Sequence, residues 1–152
     1  MCLAVAASDP ETAERLALRL SPGTTWVSHL LQRLVHALLT DGEVASGIRR
    51  AAEHYAARNA AFCELLAECG IEAAPGDGLN VWVPLPVPAR AAAEQLMRRG
   101  WLARPGDEFV LADDRAARHL RLTVHDLSDA DARRLASDLA AAVDAAHLRK
   151  VG

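Results

Sequence analysis

Lysine is almost missing from this chain: a single residue, Lys150, stands third from the end against sixteen arginines. An amine nucleophile is thereby confined to a tail expected to fray. Cysteine is scarce as well. Cys2, Cys63 and Cys69 are odd in number and lack C-x-x-C spacing, so neither a disulfide framework nor a zinc site is indicated. Apolar runs break at Arg, Glu, His or Asp well short of the ~18 residues a membrane-spanning helix needs. No charged segment followed by an apolar one opens the chain, and a soluble, cytoplasmic protein with no membrane partner is expected. Positive charge is not in excess either. A formal net charge of −3 removes the broad basic footprint of a nucleic-acid-binding domain.

Several catalytic signatures are missing too. There is no G-x-S-x-G elbow, Cys63 has no adjacent histidine on its helix, and "GDG" (76–78) is too short to cradle a diphosphate. The six histidines are poorly spaced for a metal. His29 and His36 lie ~10 Å apart by helical rise, and His119 and His125 ~20 Å apart along a strand. A helix-turn-helix reading of residues 9–24 onward fails because the second helix offers mainly apolar side chains with Arg33 and two histidines.

What remains is a chain long enough for one core, burying ~70% of its unfolded surface. Asp9 and Pro10 open a first helix with Ala13, Leu16, Ala17 and Leu20 as its apolar stripe. Residues 24–42 form a second helix on Val27, Leu30, Leu31, Leu34, Val35 and Leu38, ended by Gly42. Residues 43–68 stay helical throughout, with Val44, Ile48, Ala51, Ala52, Tyr55, Phe62, Leu65 and Leu66 on one side and Gly70 as the C-terminal cap. At ~39 Å that helix exceeds the width of a compact domain, so it should bridge two layers or two domains.

Beyond Gly70 the texture becomes that of strands. Segments 71–74 and 79–83 are expected to be extended, the second limited by Pro84 to a strand end or sheet edge. A helix over 88–100 follows, closed by Gly100, then two short strands about a turn at Pro105-Gly106-Asp107. "RHLRLTVHD" (118–126) alternates: Leu120, Leu122 and Val124 on one face, His119, Arg121, Thr123 and His125 on the other. The last helix opens on a Ser128–Asp131 capping pair and turns Leu135, Leu139, Ala142, Val143 and Ala146 inward. Local physics leaves Arg121 open between a solvated residue, paired to Asp126 or Glu108, and a fork for a ligand carboxylate.

The order "WVSHLLQRLVHALL", "IRRAAEHYAARNAAFCELL", "GLNVWVPLP", "RGWLARPGDEFVL", "HLRLTVHDL" resembles the C-terminal part of class I/II aminotransferases of PLP fold type I. It is most similar to the aminotransferase-like effector domain of MocR-type transcriptional regulators of the GntR family, in which a winged helix precedes that fold. The resemblance implies an α+β (α/β) small domain: a short, mostly antiparallel sheet covered by helices. Residues 1–42 would be a remnant of the large PLP-binding domain (a strand and two helices), and 43–152 the long linking helix and small domain. It implies that Arg121, in its "RLTV" setting, grips the α-carboxylate of an amino-acid-like ligand. Leu79 and Asn80 of "GLNVWV", and Arg104 of "ARPGDEF", would line the same cleft.

The resemblance also implies pyridoxal 5′-phosphate, held by a lysine on a loop before a G-L-R-type strand. Here "MCLAVA" stands at the end of that strand with Cys2 in place of its arginine, and Lys150 matches no family position. The chain is expected to be a catalytically incomplete piece: not an aminotransferase alone, not holding the cofactor alone, and making no direct DNA contact. Two other roles stay open. One is a stand-alone interaction or homodimerisation module using Trp26, Val27, Leu31 and Leu34; the other is half of an aminotransferase completed by a chain that supplies the large-domain lysine.

Overall fold

The computed structural model describes residues 7–20, 28–76, 78–109 and 116–148. The chain divides into two compact units, Met1–Arg49 and Arg50–Gly152. In the first, α1 (Pro10–Leu20) is capped by Asp9, which accepts the Thr12 backbone N–H at 2.9 Å and the Thr12 hydroxyl at 2.7 Å. Those bonds, the backbone one foremost, hold the Asp9 carboxyl below its ordinary value. Helix α2 (His29–Thr40) has no buried residue, and Leu30 and Leu34 are 76% and 51% exposed. The expected start of this helix, with Trp26 and Val27, lies outside the described residues.

Gly42 does not end α2. Asp41 does so, with its carboxylate taking the backbone N–H groups of Glu43 at 2.8 Å and Val44 at 3.0 Å, and Gly42 is the first residue of α3 (Gly42–Glu68). A carboxylate that satisfies the free donors of the next helix makes the break without a left-handed residue. The boundary between the units falls inside α3.

In the second unit α3 buries Asn59, Phe62, Cys63 and Leu66, a stripe of helical spacing. It ends in a Schellman turn. Gly70, at φ 78°, sends its N–H to Ala67 O at 3.0 Å, and Ile71 sends its own to Leu66 O at 2.9 Å. That geometry overturns the strand expected at 71–74: Ile71 spends its donor on closing the helix and packs into the core, and the segment is irregular.

The sheet has three strands in the order β1-β3-β2, all neighbours antiparallel: β1 (Asn80–Pro84), β2 (Arg104–Pro105) and β3 (His119–Thr123). Pro84, which has no N–H to donate, sits at the end of an edge strand, as expected. Between β1 and β2 runs α4 (Ala89–Met97), whose Schellman turn at Gly100 (φ 88°) repeats the closure of α3. The turn after β2 differs from expectation. Gly106–Phe109 is a 3-10 helix, and the rest of the second strand expected there (110–115) lies outside the described residues.

One sheet face carries Val81, Val83, Pro105, Leu120 and Leu122, all buried. The core builds on it with Phe62 and Leu66 of α3, Ala92 and Leu96 of α4, and Leu135 and Leu139 of α5 (Asp129–Leu148). Ser128 caps α5 by accepting the Asp131 N–H at 3.1 Å and donating to the Asp131 carboxylate at 2.7 Å. Asp138 ties α5 to the end of α4: it accepts the Trp101 indole N–H at 2.7 Å and lies 3.5 Å from Arg134 Nε. The fold is the α+β small domain that the sequence implied.

Candidate functional site

Because side chains alternate along strands, the face opposite the core is fixed by register. Trp82 stands directly across from Arg121, and Arg121 directly across from Arg104, so the three strands contribute one transverse row: indole, guanidinium, guanidinium. On either side of it lie Asn80 opposite Thr123 and Pro84 opposite His119. The Thr123 hydroxyl donates to Asn80 Oδ1 at 2.7 Å, and the Trp82 and His119 rings meet edge to face at 6.3 Å.

Phe109 lies over this row. Its ring centre is 4.4 Å from Arg121 Cζ and 4.8 Å from Arg104 Cζ, and it meets the Trp82 indole edge-on at 5.9 Å. The two arginines differ in charge balance. Arg104 is neutralised by Glu108, with N–O distances of 2.8 and 2.9 Å. Half-buried Arg121 has no ion pair among the described residues. The two partners that a solvated reading offered it are engaged elsewhere: Glu108 with Arg104, and Asp126, whose Oδ1 lies 3.0 Å from His125 Nδ1. His125 itself is past the end of the strand and packs on the Tyr55 ring at 4.8 Å.

A guanidinium without an ion pair is suited to an anion, and its fork matches a carboxylate in particular. The face therefore holds Arg121, Asn80 and Arg104 of the expected site. Leu79 precedes β1 and is exposed. The loop before it is fastened by Asn59, which donates from Nδ2 to Gly78 O at 2.7 Å.

Trp82, Phe109 and Asn59 were not singled out from sequence. Alternation with Val81 and Val83 puts Trp82 on the outer face; its opposition to Arg121 depends on pairing between distant segments. A separate groove of about 320 Å³ opens beside Arg58, Leu65 and Arg133. There Arg58 is already spent, donating to Asp129 Oδ1 at 2.7 Å and to Leu127 O at 2.6 Å.

Residues 2–139 match the family described as aminotransferase class I and II. The chain belongs to this family. Over 138 residues it is also 43% identical to the vitamin B6 salvage pathway transcriptional repressor PtsJ of Salmonella typhimurium strain LT2, an alignment that takes in 90% of this chain and 31% of the repressor. The chain thus spans about a third of that relative's length.

Aminotransferase membership raises the question of a pyridoxal 5′-phosphate site, and the donor set answers it for this part of the fold. The sole lysine, Lys150, lies beyond the matched stretch and outside the described residues, so no described side chain can form an imine with an aldehyde cofactor. Cys63 is no substitute nucleophile: it is buried, and burial pushes its thiol up, away from the thiolate. Among the described residues no cluster of His, Cys, Asp or Glu is suited to a metal ion, and no helix is long and apolar enough to cross a membrane.

Proposed function

We propose that this chain is the ligand-binding small-domain portion of an aminotransferase-like regulatory domain of MocR type, and that it holds the carboxylate of an amino-acid-like effector through Arg121. The observation that carries the reading is the charge imbalance on the outer sheet face: Arg121 has no ion pair among the described residues, while Arg104 is paired with Glu108. The identity to a repressor of vitamin B6 salvage supports regulation over turnover. On this reading residues 1–42 correspond to the end of the large domain, and 43–152 to the linking helix and small domain.

Pyridoxal 5′-phosphate would supply the electrophilic aldehyde in a complete domain, with its lysine outside the matched stretch. This chain's own contribution is to bind and orient the effector's carboxylate. In a regulator, ligand-dependent closure of the small domain would shift the population of DNA-binding states of an attached winged helix. The chain alone is then not an active enzyme.

The test is titration of the full chain with pyruvate and with L-alanine, followed by calorimetry. Arg121→Ala should abolish the heat of binding. Equal affinity in the variant would return Arg121 to a solvated surface residue.

A second reading rests on α2, where Leu30, Leu34, Leu38 and Leu39 are all exposed. An apolar stripe of that kind favours association, with another copy or with a large-domain chain. Light scattering decides the first of these: a monomer at every concentration, unchanged by Leu34→Glu, would remove self-association.

A further inference from the structure

A guanidinium has two unlike surfaces. Its flat face attracts the negative face of an aromatic ring, and its rim carries the N–H donors that match a carboxylate. The Phe109 ring centre lies 4.4 Å from Arg121 Cζ, a separation at which the ring can take the flat face, and the rim has no ion pair among the described residues. We propose that Phe109 is a positioning residue for Arg121, fixing the plane of the guanidinium so that its donor rim is presented to the ligand. The proposal rests on the reading of Arg121 as the carboxylate grip and identifies what holds that grip in place.

Phe109 is itself held. The 3-10 helix that ends in it begins with buried Gly106, directly after buried Pro105. Asp107 is bound to Arg90 of α4 at 2.8 Å, and Glu108 to Arg104 of β2 at 2.8 Å. Trp82 supports the ring from β1, edge-on. The turn therefore fixes the ring from α4, β2 and β1 at once, and the ring passes that constraint to a long side chain that has no ion pair of its own among the described residues.

The ring also distinguishes the two arginines that flank it. Arg104 Cζ lies 4.8 Å from the same ring centre, but its Nε and Nη2 are paired with Glu108. Of the two, Arg121 is the one with no carboxylate partner among the described residues. The site is accordingly built for a single carboxylate, and the Trp82 indole, 41% exposed in the same row, is apolar surface for the remainder of the ligand.

The test uses the full chain labelled with 15N and reads two quantities. One is the mobility of the Arg121 Nε–H, from its heteronuclear Overhauser effect and ring-current shift without ligand; the other is affinity for pyruvate. Phe109→Leu should release the Nε–H to fast motion, remove the ring-current shift and weaken pyruvate binding about tenfold, while Phe109→Tyr restores all three. Phe109→Met serves as a second non-aromatic variant should leucine disturb the fold.

An Arg121 Nε–H as restrained in Phe109→Leu and Phe109→Met as in the wild type would overturn the proposal, as would failure of tyrosine to restore it. If the wild-type chain binds no pyruvate, the carboxylate reading falls separately. The ligand-free mobility still decides the role of Phe109.

Discussion

Asn59 donates its side-chain amide to the Gly78 carbonyl at 2.7 Å, a bond that spans 19 residues and fastens α3 to the loop entering β1. The residue is fully buried, and its Oδ1 has no hydrogen-bond partner among the described residues. The buried amide of Asn59 would be left without its donor's partner if this bond were lost, which costs more than the bond itself contributes. The bond sits immediately before Leu79 and Asn80, so it fixes where the β1 edge of the outer sheet face begins.

Asn59→Ala should therefore do two things. It should lower stability by ~2 kcal/mol through the lost bond and the space left behind, and it should raise amide exchange over residues 78–80. Urea denaturation reads the first and hydrogen exchange the second. A destabilised variant with unchanged exchange in the loop would mean that Asn59 only fills space.

The acid limb of the stability curve is a second check. Asp129 is held below its ordinary value of 3.8, first by the hydrogen bond from Arg58 and next by the Arg58 charge. A carboxylate lowered on folding contributes stability that is full above its unfolded value and is lost as pH falls through its folded value. Asp129→Asn should thus be less stable than wild type at neutral pH, and the gap should close below about pH 3.8. Denaturant midpoints at the two pH values measure it. A gap of equal size in acid would assign the effect to helix capping and not to charge.

The cysteines offer a test of burial. Cys69 is exposed just past the end of α3, whereas Cys63 is buried six residues earlier with its thiol pushed up by burial. Maleimide labelling followed by peptide mapping should modify Cys69 within minutes and Cys63 only on unfolding, since the thiolate is the reactive form. Equal labelling of both in native buffer would show that α3 opens locally around Phe62 and Leu66.

How much of this was legible beforehand follows from the range of each interaction. Alternation in "HLRLT" located β3 and its buried leucines, because a sheet with one covered face imposes period two on the sequence. Caps at Asp9 and Ser128 and the glycine stop at Gly70 were legible because donor, acceptor and orphan backbone group lie within a few residues. The opposition of Trp82 to Arg121, the ring of Phe109 above both, and the bond from Asn59 to Gly78 were not. Each joins segments distant in sequence, and no local pattern encodes the register between them. Ile71 and Pro105-Gly106 misled for a related reason: β-branched and turn residues score as strand and hairpin, but the Ile71 donor was already committed to closing a helix. The face of Arg121 was thus readable, and the aromatic rings beside it were not.

The two helix-closing glycines and the helix-opening one should respond to alanine with opposite signs. Gly70 and Gly100 have φ of 78° and 88°, and an added Cβ would meet nothing within 4 Å at Gly70 and only Arg134 Nη2, at 4.0 Å, at Gly100. Their penalty is therefore one of backbone conformation and not of crowding. Gly70→Ala and Gly100→Ala should each destabilise by ~1–2 kcal/mol, and asparagine, which tolerates the left-handed region, should recover part of it. Gly42 has no positive φ, stands first in α3, and an added Cβ there meets nothing within 4 Å. Gly42→Ala should stabilise by ~0.5 kcal/mol by narrowing the unfolded ensemble. Thermal melts of the three variants compare them directly. A stabilised Gly70→Ala would mean that the Schellman turn, and with it the burial of Ile71 against Leu66, does not form in solution.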